Sequence, residues 1–130
     1  MADTMQFDLV SPERKLASGQ AASVQIPGAD GDMTAMPDHA PVVTTLRPGL
    51  LTVEMDGGEQ VYAVTGGFAQ ISSEGATVLA EEALPKAELT ADFIDERVSK
   101  AEAARDASEG AAADAAAKRV ADLQALKEAI

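Results

Sequence analysis

Residues 51–80 have the sequence LTVEMDGGEQVYAVTGGFAQISSEGATVLA, and this stretch decides the fold class of the first part of the chain. Residues 51–56 alternate between apolar and polar side chains, which is the pattern of a strand with one buried face. Glycine pairs at 57–58 and 66–67, and a Ser-Glu-Gly run at 73–75, separate this strand from three further β-rich runs. Paired glycines accept the positive φ angles of tight hairpins, so the stretch predicts an antiparallel β meander.

Three further β-rich runs lie upstream of this meander, at residues 7–10, 22–26 and 42–46. Turn residues separate them, and short strands between regular turns are typical of an all-β sandwich or barrel. Residues 27–41 show little periodicity, so the sequence predicts a long loop there.

The composition of the chain changes near Pro85. Residues 88–130 contain no proline and a single glycine, Gly110, and are dominated by alanine and charged residues, which favour helix. Thr90 is the expected N-cap of a first helix that ends near Ala107, and a second helix follows the break at 108–110. The break is short, so the two helices are expected to form an antiparallel hairpin.

These observations predict an α+β fold with segregated domains. Residues 1–86 form a β-sandwich domain, and residues 87–130 form an α-helical hairpin domain. The helical spacing predicts an apolar stripe on the hairpin that is extended by alanines and consists of Ile94, Val98, Ala101, Val120, Leu123, Leu126 and Ile130. The stripe has few large side chains, so we expect the hairpin to be held lightly and to be a candidate for movement.

Charge and composition exclude several classes of protein. Ten basic against 22 acidic residues give a net charge of -12, which repels nucleic-acid phosphates. The chain has no cysteine and one histidine, so thiol catalysis and sites that need two imidazoles are excluded. No apolar run is long enough to span a bilayer, and residues 1–15 do not resemble a signal peptide, which predicts an intracellular protein.

The residues that could carry chemistry do not form a recognisable catalytic motif. The chain lacks the glycine-rich phosphate loops and the nucleophile elbow. Asp30, Asp32, Asp38 and His39 superficially resemble a metal site, but they lack the regular spacing and the distal glutamate of a calcium loop. From the residues alone we expect no catalytic residue, no metal and no cofactor, and an acidic surface suited to protein partners.

Five short motifs occur in a recognisable order: VQIPGADGDM at 24–33, MPDHAP at 36–41, LRPG at 46–49, GGF at 66–68 and TVLAE at 77–81. Each is weak alone. In this order and spacing, and followed by two helices, they resemble the epsilon subunits of F-type ATP synthase, which are called delta in mitochondria. The resemblance covers essentially the whole chain.

This resemblance implies a β sandwich of about ten strands and a C-terminal helical hairpin. It also implies a non-catalytic rotor subunit of the central stalk, bound to the gamma subunit and the c-ring, that couples proton-driven rotation of the ring to ATP synthesis. Such a subunit would be peripheral on the cytoplasmic face of the bacterial inner membrane. In many bacterial members the hairpin extends along gamma and restrains ATP hydrolysis.

The resemblance places the candidate contacts with the c-ring or gamma in the acidic loop, at Asp30, Asp32, Met33, Asp38 and His39. Asp32 and His39 are the foremost candidates, because acidic groups would complement basic loops of the ring. Family members often have glycine at the position of Asp38, so the loop of this chain is expected to differ in shape.

The first helix departs from the nucleotide-binding pattern of the family, which is Ile/Leu-Asp-x-x-Arg-Ala. Asp95 is present, but Val98 occupies the position of the arginine. Arg97 comes one residue early, and one residue turns a helical side chain by about 100°. We therefore expect no regulatory nucleotide. Arg97, Lys118 and Arg119 remain the candidate regulatory residues, through contacts with the alpha and beta subunits.

Two alternatives of other classes remain open at this point. One is a free-standing acidic adaptor that binds a basic protein through its charge, and it predicts loss of the partner at high salt. The other is a small metal-dependent hydrolase that uses Asp30, Asp32 and His39, and it requires a bound metal.

Overall fold

The computed structural model describes residues 4–37, 40–55 and 58–129. The chain divides into two compact units, residues 1–86 and 87–130. The described part of the first unit contains nine strands, against about ten expected, and a 3-10 helix at Lys86–Glu88 follows the last of them. The strands are β1 (Met5–Val10), β2 (Lys15–Gly28), β3 (Gly31–Ala35), β4 (Val42–Leu46), β5 (Gly49–Met55), β6 (Gly58–Val64), β7 (Gly67–Ile71), β8 (Gly75–Ala80) and β9 (Ala83–Pro85).

The long strand β2 organises the sheet. Its first half pairs antiparallel with β1, and its second half pairs with β3 on one edge and β5 on the other. A register shift between Ala21 and Ser23 marks a bulge, and bulges allow a strand to bend between two pairing partners. β6 and β9 extend the sheet beyond β5.

The remaining strands close the sheet on itself. β8 runs parallel to β1 and antiparallel to β7, β7 pairs with β4, and β4 returns to β2 at the pair Gly28–Leu46. The enclosed core is aliphatic apart from Phe7 and Tyr62. The alternation of residues 51–55 places Leu51 and Val53 in this core, as the meander pattern predicts.

The expectation of a long loop at 27–41 is wrong. Residues 31–35 form β3, which pairs antiparallel with residues 24–28 of β2. The sequence does not indicate these strand segments because β2 continues through Pro27 and Gly28, and β3 begins with Gly31 and Asp32. These residue types are depleted in strands. Pairing with a neighbouring strand outweighs these weak local preferences.

The second unit is the predicted helical hairpin, which confirms the fold class. α1 (Ala91–Asp106) is capped by Thr90, whose hydroxyl accepts a hydrogen bond from the Phe93 backbone N–H at 3.2 Å. α2 (Ala111–Glu128) follows a short turn in which Gly110 adopts φ 62°. The expected stripe is largely buried: Ile94 and Ala101 on α1, and Val120, Leu123 and Leu126 on α2. Val98 is half-buried, and Ile130 lies outside the described residues.

Candidate functional site: the acidic turn, the apolar face and the hairpin

The acidic turn, residues 29–32, comprises the two-residue link between β2 and β3 and the first two residues of β3, and it carries two of the predicted contact residues. Gly28 lies opposite Gly31 in the ladder, and a Cβ atom at position 28 would come within 2.6 Å of the Gly31 carbonyl oxygen. Gly31 has φ 135°, which L side chains rarely adopt. The two glycines therefore keep the turn tight and leave Asp30 exposed at its tip.

Arg47 joins this turn to the end of β4. Its guanidinium donates one hydrogen bond to the Gly28 carbonyl and another to the Asp32 carboxylate. The backbone reinforces the junction, because Arg47 N–H donates to the Pro27 carbonyl at 3.0 Å and Ala29 N–H donates to the Thr45 carbonyl at 2.8 Å. Asp32 is thus charge-paired, whereas no ion pair of Asp30 is recorded within the described residues.

The other predicted contact residues have different surroundings. Met33 is half-buried and packs against the core of the β domain. Asp38 and His39 lie outside the described residues. The structure therefore brings Asp30, Asp32 and Met33 into one hairpin, with an exposed carboxylate, a paired carboxylate and an inward apolar side chain.

An exposed apolar face on the ring of strands was not foreseen from the sequence. It consists of Val10, Val43, Phe68 and Leu79, of which Val43 is 66%, Phe68 44% and Leu79 42% exposed. Phe68 is in register with Leu79 of β8, which is in register with Val10 of β1. The three side chains border an open cavity of about 460 Å³. The sequence does contain a signal for this face, because Phe68 and Leu79 occupy the outward positions of strands whose inward positions are also apolar.

In the hairpin, the candidate regulatory residues Arg97 and Lys118 have partners on their own helices. The Arg97 guanidinium lies 3.7 Å from the centroid of the Phe93 ring and donates to the Phe93 carbonyl at 3.3 Å. Lys118 pairs with Asp122 at 2.8 Å, and Arg119 is half-buried. Asp95 accepts a hydrogen bond from Lys127 of the opposite helix at 2.7 Å.

Asp8 and Tyr62 of the β domain have shifted pKa values. The Ser18 hydroxyl donates to the Asp8 carboxylate at 2.7 Å and, with further bonds from Gln6 and Lys15, lowers the pKa of Asp8. Burial raises the pKa of Tyr62. Within residues 4–37, 40–55 and 58–129, no three His, Cys, Asp or Glu side chains cluster as metal ligands.

Comparison with known proteins decides the family. The β-sandwich domain of the ATP synthase delta/epsilon chain matches residues 4–86. The ATP synthase epsilon chain of Rhodobacter capsulatus is 59% identical over 126 residues, which cover 97% of this chain and 96% of the relative. The epsilon chain of Jannaschia sp. (strain CCS1) is 57% identical over 127 residues, covering 98% and 96%. The chain belongs to the ATP synthase delta/epsilon family.

Solved structures share the fold of this epsilon-family chain. A chain in the cryo-EM structure of the Euglena gracilis mitochondrial ATP synthase (OSCP/F1/c-ring, rotational state 1) matches with a TM-score of 0.73 at 23% identity. The match covers 97% of this chain and 81% of that one. A chain in the Tetrahymena thermophila central stalk/c-ring structure matches with a TM-score of 0.58 at 16% identity, covering 69% and 72%. At these identities the likeness establishes the fold.

The family assignment confirms the prediction that this epsilon-family chain is a subunit of ATP synthase and not an enzyme on its own. No α-helix in the described part of the chain is long and apolar enough to cross a membrane.

Proposed function

We propose that this epsilon chain is a rotor subunit of the central stalk that couples proton-driven rotation of the c-ring to ATP synthesis. The observation that carries the proposal is the apolar face, because an exposed cluster of large apolar side chains is typical of a protein interface. The apolar face lies on β1, β4, β7 and β8, which are hydrogen-bonded to one another within the closed ring of strands. A coupling subunit needs such a rigid surface to transmit torque.

The proposed partner at the apolar face is the gamma subunit. Val10, Phe68 and Leu79 border the open cavity, and a large apolar side chain of a partner would fill such a cavity at the centre of an interface.

The proposed contact with the c-ring is the acidic turn. Asp30 is exposed at its tip, and an exposed carboxylate complements a basic loop, chiefly by fixing register and association rate. Asp38 and His39 belong to the same proposed contact. The subunit would then be peripheral on the cytoplasmic face of the bacterial inner membrane.

The hairpin is proposed to regulate ATP hydrolysis. For this, its two helices would separate from each other and contact the alpha and beta subunits. Lys118 and Arg119 lie on α2, and Lys118 is well exposed, so a partner carboxylate can compete with Asp122 for its ammonium group. Such exchange costs little, because exposed ion pairs contribute under about 1 kcal/mol.

Binding to gamma tests the proposed function. Phe68→Ala and Leu79→Ala should each weaken the affinity of the full chain for gamma by about 10-fold, as measured by calorimetry. Gln70→Ala is the matched control, since Gln70 is exposed on the same strand and face as Phe68. Equal affinities for all three variants would contradict the proposed role of the apolar face.

Salt separates this function from the adaptor hypothesis. An interface built on apolar burial should survive about 1 M NaCl, where the Debye length falls to about 3 Å and exposed charges are screened. A complex that dissociates under this condition would instead favour an adaptor that binds through its net charge of -12.

A further inference from the structure

The open end of the helical hairpin carries an ion pair that crosses from one helix to the other. Asp95 lies in the second turn of α1 and Lys127 in the last turn of α2, and the Lys127 ammonium donates to the Asp95 carboxylate at 2.7 Å. The Lys118–Asp122 pair, by contrast, joins two residues of α2. The Asp95–Lys127 pair therefore exists only while the two helices lie side by side.

This ion pair lies beside the apolar stripe that the helices bury. The preceding residue of each partner is buried, since Ile94 is fully covered and Leu126 is 3% exposed. The opposite end of the hairpin is joined covalently by the short turn that contains Gly110. The helices can therefore separate only by parting at the end where Asp95 and Lys127 meet.

The exposure of the pair limits its strength. The Asp95 side chain is 52% exposed and that of Lys127 is 44% exposed, so water and salt screen the attraction. The loss of a pair of this kind changes an equilibrium between two conformations by about 2- to 5-fold. Such a factor matters for the hairpin, because its buried stripe contains few large side chains and two packings can then be close in free energy.

We infer that the Asp95–Lys127 ion pair is a latch that sets the fraction of chains in which the hairpin is open, and thereby the strength of the restraint on ATP hydrolysis. The second part of this inference rests on the proposed regulatory function of the hairpin. The first part concerns the free chain alone.

Spin-label distances on the free full chain measure the open fraction. The chain has no cysteine, so Ala91→Cys and Ala125→Cys, both at exposed positions near the open end, direct two labels to known sites. In this background, Asp95→Asn and Lys127→Gln should each raise the ratio of long to short distances by about 2- to 5-fold at low salt. The double variant should equal the single variants, since all three lose the same contact. About 1 M NaCl should raise the ratio in the labelled parent chain and leave the variants unchanged.

Two control variants separate the latch from other effects of charge. An aspartate near the start of a helix also interacts favourably with the helix dipole, so Asp95→Asn weakens α1 by itself. Asp92→Asn removes a carboxylate from the first turn of the same helix, and no cross-helix contact of Asp92 is recorded in the described part of the chain. Lys118→Gln removes a lysine whose partner is on its own helix. Both controls should keep the ratio of the parent chain, and an equal rise in Asp92→Asn and Asp95→Asn would overturn the latch.

The rate of ATP hydrolysis by the assembled ATP synthase tests the second part. Asp95→Asn should lower this rate by about 2-fold, because a more populated open hairpin restrains hydrolysis more. If Asp95→Asn raises the distance ratio but leaves the rate unchanged, the latch stands and the proposed regulatory function fails. If the distance ratio does not change, or if the effects of the two single variants add in the double variant, the latch is overturned at any rate of hydrolysis. A raised, non-additive ratio together with slower hydrolysis supports both parts.

Discussion

At the scale of single residues, Asp8 links the stability of the β domain to pH. Its pKa is lowered in the folded chain, chiefly by the Ser18 hydroxyl, so its stabilising effect is complete above the pKa of the unfolded chain. It is lost as pH falls through the lower pKa of the folded chain. Asp8→Asn should therefore be less stable at pH 7, by under about 1 kcal/mol, and should lose less stability than the wild type on acidification below about pH 4.

Urea unfolding of both proteins at several pH values measures this difference. Asp30→Asn serves as the control, because it removes an exposed carboxylate that forms no ion pair with any residue in the described part of the chain. Identical acid dependence in Asp8→Asn and the wild type would disprove the contribution of the Asp8 carboxylate to the acid sensitivity of the β domain.

Arg97 and Val98 determine the expected response to nucleotide. Arg97 lies over the Phe93 ring and donates to the Phe93 carbonyl, so its guanidinium is engaged within its own helix. Val98 offers no donor in place of the arginine of the family pattern. Calorimetry of the full chain should detect no binding of ATP at about 1 mM. A saturable heat of binding that Arg97→Ala abolishes would show that Arg97 reaches the nucleotide despite its position.

At the scale of elements, the sequence predicts those strands and helices whose local signals agree with the fold. The meander is predicted because alternation and paired glycines coincide, and the hairpin because Thr90 caps α1 and Gly110 precedes α2. β3 is not predicted, because it begins with residue types that are depleted in strands and because the Arg47 contact comes from 15 residues further along the chain. The apolar face is missed for a related reason: alternation identifies a strand, but only sheet order brings Val10, Phe68 and Leu79 together.

The two helices of the hairpin are joined by the turn at one end and by an ion pair near the other. Asp95 lies in the second turn from the start of α1 and Lys127 in the last turn of α2, and their side chains are 2.7 Å apart. Both side chains are about half exposed, so we expect a coupling energy of about 0.3–1 kcal/mol that salt reduces.

A double-mutant cycle with Asp95→Asn and Lys127→Gln measures this coupling through urea unfolding of the helices, followed by circular dichroism at low and high salt. The matched cycle combines Asp95→Asn with Lys118→Gln, since Lys118 pairs with Asp122 on its own helix. The first cycle should give a positive coupling energy and the second a value near zero. Equal values in the two cycles would mean that the ion pair does not hold the helices together.

At the scale of the whole molecule, the core of the β domain is complete without the hairpin. The buried cluster extends from Met5 to Ala80, and the partly buried side chains that pack against it end at Ala83. β9, which ends at Pro85, completes the pairing of β6. A chain that ends at Lys86 therefore retains every described member of this cluster and every strand pairing of the sheet.

We expect this truncated chain to fold, with a circular dichroism spectrum of β structure and a cooperative urea transition. The apolar face lies wholly before residue 86, so truncation should leave the affinity for gamma within about 3-fold of that of the full chain if gamma docks there. A chain truncated after Ala80, which lacks β9, is the informative companion, because it exposes the edge of β6 and should be less stable. If the chain ending at Lys86 is unfolded, residue 86 does not separate two independently folding domains. If that chain is folded but no longer binds gamma, part of the interface with gamma lies on the hairpin.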